Sequence, residues 1–322
     1  MSDAADDAAQ KPPPVPKAEA GKLDRRLNAF RADLADARLQ GKVQADRFVA
    51  PQAACIGRDP APLHRTPDAA SPRESELLIG DVVDVFDVAG DWAWVQNTRD
   101  AYVGYVPAGL LLPPPAQPTH RVRAPATFRY AKPNMKSRVL GVLHLNAVAT
   151  FGEVSGDFIA IADGGFVFAR HLAEVAKPAR DFVAVAEQFL DVPYLWGGNT
   201  RLGVDCSGLV QMALVAAGMR DCPRDSNMQF ERLGEIAVAA DEVQAALDAD
   251  DARDVEGLQR GDLVFWTGHV GIMVDGVMML HANAHHMMTV IEPFSPAAKR
   301  IAKAGETFLG ARRLPATVAA SG

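Results

Sequence analysis

The sequence predicts an α+β fold, with two small β barrels ahead of a larger domain of helices and an antiparallel sheet. Three observations predict it. Short apolar runs separated by Gly, Asp and Asn fill residues 46–115, and a weaker copy of that pattern fills 119–176. Near Arg180 the apolar period lengthens to that of helices before short runs return after Gly261.

Residues 1–45 are expected to hold a disordered Pro-rich tail and a short helix. Pro12, Pro13, Pro14 and Pro16 stand among Ala and charged residues, a composition that cannot bury a core. Leu27, Phe30, Leu34 and Leu39 recur between Arg and Asp, predicting a helix from Asp24 to Gln40 that Gly41 ends. No chemistry is expected of it. In 46–115 the strand-like runs are Leu77–Gly80, Val82–Phe86, Trp92–Gln96 and Tyr102–Val106. Leu111-Leu112-Pro113-Pro114-Pro115 closes this barrel and forms a linker. In 119–176 the runs are Arg121–Arg123, Val139–Leu143, Ala147–Phe151, Phe158–Ile161 and Gly165–Val167.

The last domain spans 178–318. Helices are expected from Phe182 to Leu190, from Cys206 to Ala217 with Gly218 as the stop, and from Ser226 to Leu233. The acidic stretch 241–257 reads as a surface loop or helix. Strands are expected at Asp262–Trp266, Val270–Val274, Val277–His281 and Met287–Ile291, with a fifth at Phe308–Ala311.

The 322 residues carry 33 Lys and Arg against 40 Asp and Glu, a net charge of −7. Nucleic acid is therefore not an expected partner, because phosphate binding needs a basic footprint, and an anionic membrane surface is disfavoured likewise. No apolar stretch reaches the roughly 18 residues of a membrane span. The acidic, Pro-rich start lacks the apolar core of a secretory leader, so a cytoplasmic location is expected. Cys55, Cys206 and Cys222 form no paired framework and read as reduced thiols. His281, His285 and His286 have no carboxylate or Cys at ligand spacing, so neither a metal nor another cofactor is expected.

The chemistry concentrates around Cys206. Val192-Pro193-Tyr194-Leu195-Trp196-Gly197-Gly198-Asn199 leads to Val204-Asp205-Cys206-Ser207-Gly208, which puts the thiol where a loop becomes a helix. Unpaired N–H groups and the helix dipole there favour a thiolate, the reactive form. A base is also required. His269 opens one predicted strand and His281 closes the next, joined by a turn at Asp275-Gly276, which brings both imidazoles to one end of a sheet. His269 would pair with the thiol and His281 would hold its tautomer. A buried packing thiol and a merely satisfied histidine pair are the competing readings. Cys222 and Cys55 lack a Gly-rich helix mouth and read as packing or surface thiols.

Pro193-Tyr194-Leu195-Trp196-Gly197-Gly198, Asp205-Cys206-Ser207-Gly208-Leu209-Val210, Pro223-Arg224-Asp225-Ser226-x-x-Gln229, Gly261–Trp266, His269-Val270-Gly271-Ile272 and His281-Ala282 occur in this order. These blocks resemble the NlpC/P60 cysteine peptidases over about 178–315. The resemblance implies a papain-like core, cleavage of peptidoglycan peptides, and a triad of Cys206, His269 and His281. The barrels resemble bacterial SH3 (SH3b) domains. Tandem SH3b domains ahead of such a peptidase resemble the γ-D-glutamyl-L-diamino acid endopeptidases (dipeptidyl-peptidase VI-like), which take peptides with a free N-terminal L-Ala. The resemblance implies substrate contacts at Glu74 and Tyr102 in the first barrel and at Tyr194, Asp205, Ser207 and Ser226 in the peptidase. Tyr105 stands where that pattern usually has Trp. The expected partner is a peptidoglycan-derived peptide, whose ammonium Asp205 and Glu74 would meet. A thiol acyltransferase or amidase and a non-catalytic wall-binding scaffold remain alternative functions.

Overall fold

The computed structural model describes residues 23–58, 60–114, 117–248 and 255–315. The Pro-rich stretch 1–20 lies outside these residues, as does the 249–254 portion of the acidic segment. The fold is α+β: two small barrels and a domain of helices around an antiparallel sheet.

The helix expected over Asp24–Gln40 does not form. Leu34–Asp36 is instead a strand paired in parallel with Arg47–Val49, followed by a 3-10 turn at Ala37–Leu39. Local side-chain bonds compete with the helical ladder: Asp24 accepts from the Arg26 amide at 2.9 Å, and Asp36 accepts from the Arg38 amide at 2.9 Å. The apolar residues that suggested a helix serve the first barrel. Leu34 packs with Phe86 and Trp94, and Leu27 packs on the barrel core. The barrel also ties the backbone, with the Val103 amide donating to Arg26 O at 2.8 Å.

The first barrel sheet runs Arg73–Leu77, Ala61–His64, Val103–Pro107, Trp92–Asn97, Val82–Ala89, Gln52–Ile56, Leu111–Leu112. The run expected as a strand over Leu77–Gly80 is the end of a strand and a turn, with Gly80 at φ +83°. The strands Gln52–Ile56 and Ala61–His64 went unpredicted because Pro and polar residues blur their alternation. Ile56, Leu63, Val83, Val95, Tyr102 and Val106 fill the interior. Met228 of the last domain packs into the same cluster.

The second barrel comprises a five-stranded and a three-stranded sheet within 120–174. Its turn residue Asn146, at φ +71°, donates to Met212 O of the last domain at 2.8 Å. Leu143, Leu145 and Val167 share one apolar cluster with Phe182, Leu209 and Leu214.

The last domain contains α1 (Phe182–Glu187), α2 (Cys206–Ala216), α3 (Ser226–Arg232), α4 (Ala240–Asp248) and α5 (Phe294–Lys303). Its six-stranded sheet runs Glu235–Val238, Phe308–Arg313, Leu263–Trp266, His269–Met273, Met278–Asn283, Met288–Pro293. The edge strand Glu235–Val238 is short and carries only two large apolar residues, Ile236 and Val238, which left it invisible to pattern. Helix α2 is buried on nearly every side and lies across the sheet, so it reads as continuously apolar. Gly218, at φ +103°, follows its end in the left-handed conformation that stops a helix.

Buried histidines set an acid limit on this fold. Burial pushes His144 from its ordinary 6.5 down to about 4, and it lowers His269 and His281 as well. Each is neutral when folded, while the unfolded chain binds protons near 6.5. Stability is therefore full above about pH 6.5 and falls as the pH drops towards about 4. A Tm series across that window is expected to decline on the acid side, and a flat series would contradict it.

Candidate active site

Asp205 caps α2 and holds Cys206 at its first turn. Its Oδ1 accepts from the Gly208 amide at 2.7 Å, and its Oδ2 accepts from the Gly197 amide at 2.8 Å. Arg224 donates to both oxygens, at 3.0 and 2.7 Å. The two side chains are 1% and 8% exposed, a buried bidentate pair. Asp205 was expected to meet the substrate ammonium. In the structure both of its oxygens serve Arg224 and the loop amides. Ser207, expected as a substrate contact, accepts from Arg224 at 2.9 Å and donates to Asp205 at 3.3 Å.

Burial opposes the thiolate expected at the helix mouth. Burial pushes the Cys206 thiol up to about 12, and the Asp205 carboxylate adds to the rise. Hydrogen bonds from the Val270 and Ser207 amides and the charge of Arg224 only partly oppose them. The Val270 contact sets the sulfur against the strand that His269 opens. Burial also holds His269 neutral, well below its ordinary value, with His281 contributing. Burial thus favours the uncharged form of both thiol and imidazole.

The predicted strand pair forms. His269–Met273 and Met278–Asn283 are antiparallel neighbours, and His269 Nε2 lies 2.8 Å from His281 Nδ1. Two residues beyond the sequence reading extend this line. His281 Nε2 lies 2.8 Å from Glu292 Oε1, and Arg300 donates to Glu292 at 2.9 and 2.5 Å. Hydrogen bonds from His281 and Arg300 hold the Glu292 carboxyl down to about 2, against a burial penalty that acts upward. Glu292 belongs to the strand beside His281, and no motif spacing announces it.

The first barrel borders this site. Ser75 accepts from Arg224 at 3.0 Å, and Glu76 accepts from the Asn199 amide at 2.9 Å. Gly197, at φ +74°, explains the Gly pair after Trp196: a Cβ there would sit 2.9 Å from Arg73 Cγ and 3.0 Å from Arg73 O. Tyr102, 2% exposed, donates to Asp225 Oδ2 at 3.0 Å. Burial raises its pKa, and the charges of Asp225 and Glu74 add to the rise. Glu74 itself pairs with Arg65 at 2.5 Å. Asp225 takes a second donor from the N-terminal segment, Arg26, at 2.7 Å. Asp225 and Arg26 escaped the sequence reading. Asp225 stands at a helix N-cap yet turns its carboxylate away to the barrel. Ser226, the first residue of α3, is buried beside it. Tyr194 is held by its amide to Met287 O at 2.9 Å, and burial raises the pKa of its phenol, with the nearby Cys206 and Asp205 adding to the rise.

Among the described residues no group of three His, Cys, Asp or Glu side chains converges to hold a metal, and no helix is long and apolar enough to cross a membrane.

Residues 191–303 match the NlpC/P60 family, and residues 63–111 match the bacterial dipeptidyl-peptidase Sh3 domain. The chain is 26% identical over 276 residues to the gamma-D-glutamyl-L-lysine dipeptidyl-peptidase of Bacillus cereus, spanning 76% of each. It is 26% identical over 234 residues to the protein of the same name from Bacillus subtilis, spanning 65% of this chain and 72% of that one. Among solved structures, an NlpC/P60 family protein from Bacillus cereus superposes with a TM-score of 0.63 at 21% identity. That match spans 82% of this chain and 100% of the other, and it establishes a shared fold.

Proposed function

Because residues 191–303 match the NlpC/P60 family and residues 63–111 match a bacterial dipeptidyl-peptidase Sh3 domain, we propose that the protein hydrolyses the γ-D-glutamyl–diamino acid bond of peptidoglycan-derived peptides bearing a free N-terminal L-Ala. The names of the two Bacillus relatives support the bond and the dipeptide product. The observation that carries the free-amine requirement is the Tyr102–Asp225 hydrogen bond across the barrel–peptidase boundary, with the charge of Glu74 acting on the same phenol. Tyr102 and Arg26 both hold Oδ2 of Asp225, which leaves Oδ1 for a substrate ammonium. Short trimmed peptides bring that charge and intact wall strands do not, which fits turnover of wall fragments in the cytoplasm.

In the reaction, Cys206 Sγ attacks the γ-carbonyl carbon. His269 takes the thiol proton through Nδ1, the ring nitrogen not facing His281, and returns it to the leaving amine. The Cys206 backbone N–H, at the open end of α2, donates to the developing oxyanion. Water then attacks the thioester carbonyl, losing a proton to His269, and the acid and free thiol separate.

The test compares L-Ala-γ-D-Glu-diaminopimelate and its Lys analogue with their N-acetylated forms. Acetylation strands a buried carboxylate at a cost of about 2–5 kcal/mol, so kcat/KM is expected to fall by at least ~30-fold. Glu74→Gln and Tyr102→Phe are each expected to raise KM for the free-amine peptide by about 10-fold, roughly one lost charged contact. Equal cleavage of free and acetylated peptides would overturn the proposal.

A further inference from the structure

We propose that Glu292, braced by Arg300, is a positioning residue for the peptidase reaction. Acting through His281, it dictates which nitrogen of His269 stands open to receive the Cys206 proton.

A neutral imidazole carries one N–H, so each ring has one donor and one acceptor nitrogen. An ionised carboxylate only accepts. Glu292 therefore requires the proton of His281 on Nε2, 2.8 Å from Oε1. His281 Nδ1 is then an acceptor, and the contact of 2.8 Å to His269 Nε2 requires the proton of His269 on Nε2. His269 Nδ1 is left with its lone pair. One carboxylate thus sets two tautomers, and the second is the one that can act as a base.

A competing donor makes Glu292 necessary. The His286 amide donates to Asn283 Oδ1 at 2.9 Å, which fixes that side-chain amide with its NH2 towards His281 Nε2, 3.1 Å away. If Asn283 were the only partner, Nε2 would accept and Nδ1 would carry the proton. His269 would then have to accept at Nε2 and hold its own proton on Nδ1, against the thiol. The pair of bonds from Arg300 keeps Glu292 in place and charged, so the carboxylate prevails over the amide. His281 is fully buried, and water does not rescue the wrong arrangement.

This inference rests on the cysteine peptidase chemistry and not on the identity of the substrate, so its test uses readouts that need no substrate. In the full chain, ring 15N shifts are expected to report His281 and His269 both protonated at Nε2. Glu292→Gln is expected to move protons to Nδ1 and to slow Cys206 alkylation by iodoacetamide at neutral pH. On a cleavable peptide, kcat is expected to fall about 10²-fold, the usual weight of general-base catalysis, with KM within about threefold. Adding Asn283→Asp to Glu292→Gln supplies a new acceptor at His281 Nε2 and is expected to recover most of the loss and the original ring shifts. The idea is overturned by unchanged ring shifts in a folded Glu292→Gln protein, whether or not activity drops. It is also overturned by a double variant that regains the shifts without regaining alkylation. If the peptide is not cut by the unaltered protein, the substrate assignment fails while the ring shifts still decide this proposal.

Discussion

Cys206→Ala is expected to abolish hydrolysis, with kcat down by at least ~10⁴-fold, because removing the nucleophile of a triad removes nearly all that the triad contributes. The variant should fold normally. Cys206 is a small buried residue at the first turn of α2, and that turn is capped by Asp205 rather than by the thiol. Release of free diamino acid measures the loss, and circular dichroism checks the fold. Retained turnover in Cys206→Ala would remove the thiol from the chemistry and leave His269 and His281 as a buried polar pair. Cys222 offers no substitute: burial pushes its thiol up, with Asp100 adding to the effect, and no histidine hydrogen-bonds it among the described residues.

Arg224→Met is expected to produce the largest loss of stability, about 3–5 kcal/mol, since it leaves Asp205 as an uncompensated buried charge. The guanidinium also bonds Ser207 and Ser75, so one substitution loosens the α2 cap and the contact with the first barrel together. Denaturant titration reads the effect. The Asp205→Asn/Arg224→Met double variant should recover part of it, because an amide can still cap the helix and carries no charge to strand. A single variant within about 0.5 kcal/mol of the unaltered protein would mean that solvent reaches Asp205.

Much of this site was legible in the sequence, and for identifiable reasons. Cys206 followed from a loop ending in Asp and opening a buried apolar helix. The meeting of His269 and His281 followed from two strand-length runs joined by Asp275-Gly276, since antiparallel geometry fixes which ends approach. Glu292 and Arg300 were not legible, because Glu292 reaches His281 from a neighbouring strand and Arg300 reaches Glu292 from a helix, and no spacing encodes either placement. Arg26 was hidden by a false helix: apolar residues at Leu27, Phe30 and Leu34 carried a helical rhythm that in fact serves a barrel surface. The burial that opposes the thiolate was not legible for a different reason. A helix mouth is visible in sequence, but the desolvation of Cys206 and the closeness of its own capping carboxylate are tertiary facts.

The place of Met228 has a consequence for how the molecule comes apart. This side chain starts from a peptidase helix and ends among Ile56, Leu63 and Val106 inside the first barrel. Severing the polypeptide between its modules would leave an unfilled hollow on one side and a bare thioether on the other. The division visible along the chain is thus expected to be no division in cooperativity, with the amino-terminal barrel and the peptidase domain melting in one transition.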